Sequence, residues 1–146
     1  MSTRQVSRDI VIDAPPSAVF DLLADPRRHG EFDGSGTVRS AITGPDRLSL
    51  GSSFGMSMKL GVPYTMTNTV VEFEQDRRIA WRHVGHHRWR YELTPVGEHA
   101  TKVTETFDWS ESRAPVVLEL LRYPAANTRA IEKTLPRLKA YLEGRS

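Results

Sequence analysis

From Thr37 to Trp109 apolar and polar side chains alternate with a period of two, and from Pro115 to Gly144 the period lengthens to three or four. The first pattern predicts strands and the second a helix. Val117, Leu121, Ala125, Thr128, Ile131, Leu135, Leu138 and Leu142 fall on one stripe of that helix. A sheet and a long one-sided helix each bury their apolar face by packing against the other, so the pattern predicts an α+β domain. Pro124 and Pro136 each remove an amide donor and crowd the preceding turn, so the helix is expected to bend or break near Tyr123. The half after Pro124 carries the clean stripe and reads as an anchor. The half before it, VVLELL, is apolar nearly all round and reads as a lid or a contact surface.

Earlier in the chain, Val6 to Asp13 reads as a strand stopped by Ala14-Pro15-Pro16. Pro16 suits a first helical turn, and Val19, Phe20, Leu22 and Leu23 give a short helix that ends near Asp25-Pro26. A second short helix is expected from Arg27 to about Phe32, before Asp33-Gly34-Ser35-Gly36. Strands follow at Thr37 to Thr43, through Phe54, Met56, Met58 and Leu60 on one face, and from Tyr64 to Glu74. In that last strand Val71 and Phe73 are expected inward, because the opposite choice buries Glu72.

Parity sharpens the next three strands. Ile79, Trp81 and His83 share one face, as do Trp89, Tyr91 and Leu93, with Arg82, Arg88 and Arg90 on the other. Both apolar sets point the same way only if the hairpin loop has an odd number of residues, which predicts Trp81 opposite Tyr91 and His83 opposite Trp89. The following strand is expected to pair Leu93 with Val103, Tyr91 with Glu105 and Trp89 with Phe107. The predicted inner ranks are thus Trp81, Tyr91, Glu105 and His83, Trp89, Phe107.

Composition narrows the class. The 146 residues fit one domain over positions 1–146, large enough for a core without metals or disulfides. There is no cysteine, which excludes thiol chemistry and cysteine-ligated zinc. The start, MSTRQVSRD, has no signal-like apolar core, and no run approaches bilayer-spanning length, so a cytoplasmic protein without stable membrane insertion is expected. Net charge is +2, from 20 basic and 18 acidic residues, a weak argument for a polyanionic partner.

Among candidate chemical groups, Glu105 stands out because Val103, Phe107 and Trp109 share its parity. A carboxyl facing an apolar cavity has a raised pKa and can move protons, with Tyr91 as its hydrogen-bonding partner. The plainer account is that Glu105 simply satisfies Tyr91 or an arginine. His83 fits a proton shuttle, or equally a packing residue beside tryptophan. His83, His86 and His87 invite a metal reading, but Gly85 marks a loop tip where the rings diverge, so no metal and no cofactor are expected. Arg82, Arg88 and Arg90 lie opposite the aromatics, whereas a nucleic-acid platform needs both on one face, so a solvated outer face is expected. Asp33-Gly34-Ser35-Gly36 lacks the Gly-Lys-Ser/Thr of a phosphate loop and reads as a helix exit or a pocket lid. Ser17, Ser35 and Ser110 have no histidine and acid at hydrolase spacing.

The order of elements resembles the helix-grip fold of the SRPBCC or START-like superfamily. The opening IVIDAPPSAVFDLLADPRRHGEF and the closing LPRLKAYLE look like its polyketide cyclase/dehydratase-like branch, although Phe32 stands where that branch often has tryptophan. The resemblance covers essentially the whole chain and implies a curved sheet of about seven strands, two short helices after the first, and a long C-terminal helix. It also implies a deep, mostly apolar cavity between sheet and helix. The residues expected to line it are Phe54, Met56, Met58, Trp81, Trp89 and Phe107 from the sheet and Leu118, Leu121 and Ala125 from the helix, with Glu105, Tyr91 and His83 as its acid/base groups. The expected ligand is a hydrophobic small molecule, polyketide-like, aromatic or lipid. A cyclase, aromatase or dehydratase using the same cavity is the enzymatic alternative, and a protein interaction module is the third; the protein is expected to be a monomer or a homodimer.

Overall fold

The computed structural model describes residues 4–25, 28, 38–43, 45–60, 62–82, 87–112 and 114–144, with backbone alone at 38–43, 56–60, 62–66 and 123. Strand β1 (Gln5–Ile12) leads into helix α1 (Pro16–Leu23), and β2 (Val38–Thr43), β3 (Ser53–Leu60), β4 (Val62–Glu74), β5 (Arg78–Arg82), β6 (Arg88–Val96) and β7 (Ala100–Asp108) follow. Helices α2 (Pro115–Leu120) and α3 (Tyr123–Leu142) end the chain. The strands form one seven-stranded sheet in the order β1-β7-β6-β5-β4-β3-β2, with every neighbouring pair antiparallel. This is the expected α+β helix-grip architecture. The second short helix expected from Arg27 to Phe32, and the lid expected at Asp33–Gly36, lie outside the described residues.

Proline sets the first corner. Pro15 is the N-cap and Pro16 opens α1, where a missing amide donor costs nothing. Val19, Phe20, Leu22 and Leu23 are buried on its inner face. The Thr101 hydroxyl donates to the Ala14 carbonyl at 2.7 Å and ties this corner to β7.

The C-terminal helix is divided, as its prolines predict, with the break just ahead of Tyr123. Arg122 sits between the two pieces in the left-handed region, at φ 63°. Helix α3 packs over β1 and β7 through Ile131, Leu135 and Leu138, all buried. Each such side chain contributes about 2 kcal/mol of hydrophobic burial. Helix α2 buries no residue fully, and Val116, Val117, Leu120 and Leu121 are exposed. The stripe predicted from Val117 to Leu142 therefore holds only in its second half: Val117 and Leu121 face solvent.

Strand β4 corrects a second expectation. The register slips between Val70 and Glu72, which leaves Val71 as an extra residue. A bulge of this kind lets a strand change phase. Val70 and Phe73 therefore both face the core while Glu72 stays outside, where a regular strand would have forced a choice between Val70 and the pair Val71 and Phe73.

Candidate functional site: an aromatic concave face with a buried tyrosine and glutamate pair

The inner face of the sheet is organised in ranks. Phe73, Ile79, Tyr91 and Glu105 form one, and Val70, Trp81, Trp89 and Phe107 the next. The β6 and β7 pairings match expectation: Leu93 with Val103, Tyr91 with Glu105 and Trp89 with Phe107. The β5 and β6 pairing does not, since Trp81 lies opposite Trp89, and Ile79 opposite Tyr91. An odd loop length determines which face each side chain takes but leaves the rank free to slide by two. In the register adopted Arg78 lies opposite Glu92, 3.7 Å from it. Trp81 still reaches Tyr91, diagonally, with ring centroids 5.7 Å apart.

Rings make the wall almost continuous. Phe54 meets Trp81 edge-on at 5.6 Å, Trp89 meets Phe107 at 5.1 Å, and Phe107 stacks on Trp109 at 5.5 Å. Within this wall the Tyr91 hydroxyl donates to Glu105 Oε2 at 2.9 Å. Tyr91 is 4% exposed and Glu105 3%. The pair anticipated from parity is thus assembled on the apolar face.

Beyond the rank of Val70, Trp81, Trp89 and Phe107 the His87 ring lies 5.4 Å from Phe107, Phe107 stacks on Trp109, and Asn68 lies opposite Phe54 of β3. Asn68 is 1% exposed, and burial pushes the His87 imidazole below its ordinary pKa. Helix α2 is fastened at this end. Glu119 accepts from the Trp109 indole at 2.7 Å and from Arg4 at 3.0 Å, and these bonds hold its carboxyl below the usual range. Sequence reasoning missed both Asn68 and this clasp. Asn68 shares the parity of Val70, which the bulge at Val71 hides, and the clasp brings Arg4 to Glu119 from the far end of the chain.

The other expected lining residues divide. Phe54, Trp81 and Phe107 are buried, and Trp89 and Leu118 are partly buried against the core. Leu121 and Ala125 are exposed, one on each side of the left-handed turn at Arg122. Met56 and Met58 are on β3, opposite Met66 and Tyr64, with side chains outside the described residues. His83 is also outside them, and among the described residues no cluster of acid and histidine side chains is suited to a metal.

The opposite face carries charge. Arg90 donates to both oxygens of Glu72, at 3.0 and 2.8 Å, and to Asp108 at 3.2 Å, while Arg88 donates to Glu72 at 2.7 Å. Burial alone pushes the Glu72 and Asp108 carboxyls up. Hydrogen bonds from Arg90 and Arg88 to Glu72, and from Ser110 and Arg90 to Asp108, outweigh it, and both pKa values fall. Arg88 and Arg90 are therefore engaged by carboxylates, on the face opposite the aromatics.

Comparison with known proteins agrees with this architecture. The chain is 40% identical to the uncharacterized protein Rv0088 of Mycobacterium tuberculosis over 148 aligned positions, covering 97% of this chain and 66% of the relative, so it spans just under two thirds of that protein. Protein NE0264 of Nitrosomonas europaea superposes with a TM-score of 0.74 at 15% identity, covering 98% of this chain and 96% of that one. The Polyketide_cyc-like protein Cgl2372 of Corynebacterium glutamicum gives 0.64 at 20% identity, covering 95% and 91%. The family model described as "Polyketide cyclase / dehydrase and lipid transport" matches residues 3–143, and the chain belongs to that family, within the SRPBCC or START-like superfamily.

Proposed function

We propose that this chain binds a hydrophobic small molecule, polyketide-like, aromatic or lipid, between the concave sheet face and the C-terminal helices. The observation that carries the reading is the wall of rings with a buried hydroxyl and carboxyl pair inside it. Binding sites of this kind pair apolar walls with a few polar groups that orient the ligand. The interior is closed over Trp81, Tyr91, Glu105 and Phe107, so access requires movement. Helix α2 is the part suited to move, being held by Leu118 and by the Glu119 clasp rather than by a buried stripe.

A cyclase or dehydratase reaction is the second reading, supported by the same pair. Tyr91 and Glu105 are within one hydrogen bond of each other, the reach that proton transfer between donor and acceptor demands. In this reading Glu105 exchanges a proton with a bound polyketone and Tyr91 holds the carboxyl in place, with His83 as a further proton carrier. The exposed apolar side of α2 supports a third, a contact surface for another protein.

Native mass spectrometry of protein purified from its own host tests the binding reading. A co-purified apolar compound is the expected result, and a protein that stays empty through a lipid and polyketide screen overturns it. Glu105→Gln separates binding from catalysis: unchanged affinity with lost turnover on the identified compound supports the enzyme. Size-exclusion chromatography reads self-association through α2.

A further inference from the structure

We propose that Asn68 is a ligand anchor, its side-chain oxygen accepting a hydrogen bond from a hydroxyl or N–H group of an otherwise apolar, ring-bearing ligand. The inference rests on the binding reading above and deepens it by assigning a polar requirement to the ligand.

Asn68 lies on the concave side of β4, in phase with buried Val70, and is 1% exposed. Its partner across β3 is Phe54, and Trp81 lies opposite Val70 one rank away. None of these side chains offers a donor aimed at it, and among the described residues the Asn68 carboxamide oxygen has no hydrogen-bond partner. Three buried polar side chains of β7 show the pairing that such groups ordinarily find. Thr101 donates to the Ala14 carbonyl, Thr106 shares a hydrogen bond with Ser7, and Asp108 accepts from Gln5, Arg90 and Ser110. A carbonyl oxygen sealed among rings without a donor destabilises the fold, and such an atom calls for a functional account.

Position supplies that account. Asn68 lies beyond Val70 and Trp81, on the side of that rank away from Ile79, Tyr91 and Glu105. A ligand lying along Phe54, Trp81 and Tyr91 therefore meets a carboxamide at one end and a phenol and carboxyl at the other. An acceptor at that end selects ligands that carry a donor there, and an analogue without the donor leaves the oxygen unpaired.

Competition against bound 1-anilinonaphthalene-8-sulfonate, with 2-naphthol and 2-methylnaphthalene as matched probes, tests the assignment. Asn68→Leu is expected to weaken 2-naphthol about tenfold, the upper end for one neutral hydrogen bond. It should leave 2-methylnaphthalene unchanged or tighter and raise the thermal midpoint, since it removes an unpaired oxygen. Asn68→Val repeats the measurement in a smaller side chain if leucine overpacks the site. Equal changes for the two probes, or none for either, overturn the anchor while leaving the cavity standing. If the unsubstituted chain binds none of the three compounds, the cavity reading falls, and the anchor falls with it.

Discussion

Tyr91 donates a 2.9 Å hydrogen bond to Glu105 from the adjacent strand, with both side chains sealed against the aromatic wall. Removing the donor strands a buried carboxyl oxygen, so Tyr91→Phe is expected to cost about 1–3 kcal/mol. Glu105→Gln keeps an oxygen that accepts from Tyr91 and should cost less. Urea unfolding of the two variants checks the order, and equal or negligible losses would show that this bond does not support the fold.

Helices α2 and α3 should respond to truncation very differently. Leu138 is fully buried, whereas Leu121 is 60% exposed. Leu138→Ala is expected to cost about 3 kcal/mol through lost burial and a residual cavity, and Leu121→Ala about 0.5 kcal/mol or less. Comparable losses in chemical denaturation would mean that α2 belongs to the core.

Much of this was legible in the chain because its physical causes are local. Period-two alternation marks the strands, the prolines mark both ends of α1 and the break before α3, and parity alone brings Tyr91 to Glu105. What escaped is set by geometry that alternation does not encode. Parity cannot tell Trp81 opposite Tyr91 from Trp81 opposite Trp89, because the two registers differ by a whole pleat repeat. The bulge at Val71 hides Asn68, since the strand on either side of it keeps a regular period. The pairing of β1 with β7 and the clasp of Arg4 and Trp109 on Glu119 join distant segments. The apolar stripe also ran on through Leu121 and Ala125, across the left-handed turn at Arg122 where the helix is interrupted.

Hydrogen exchange tests the clasp. Glu119→Gln weakens the acceptor for both Trp109 and Arg4, and amides of Pro115–Leu120 are expected to exchange at least several-fold faster while those of α3 keep their protection. Faster exchange in both helices, or in neither, would show that Glu119 does not hold α2 on its own.

Acid should weaken the outer face in a defined window. Glu72 and Asp108 have folded pKa values below their ordinary 4.5 and 3.8, so folding favours their charged forms. Their contribution is complete above about pH 4.5 and is lost as pH falls below that value and through the lowered folded pKa values. Arg90→Ala removes the donor they share and should cost about 2 kcal/mol near neutrality, less than for a fully buried ion pair, and flatten the acid limb of the stability profile. An unaltered acid limb in Arg90→Ala would assign acid sensitivity to other groups.

The extra residue at Val71 divides β4 into two stretches that count faces in opposite phase. Asn68 and Val70 point inward on one count, Phe73 on the other, and Glu72 keeps its two arginines outside. Val71 is the one residue the ladder does not need: without it Val70, Glu72 and Phe73 would alternate in, out, in, opposite Trp81, Ala80 and Ile79 as they do now. Deleting it straightens the strand and keeps every face, whereas deleting Thr69 instead would turn the Asn68 carboxamide out of the wall. Loss of a residue is thus tolerated at the bulge and not two positions before it.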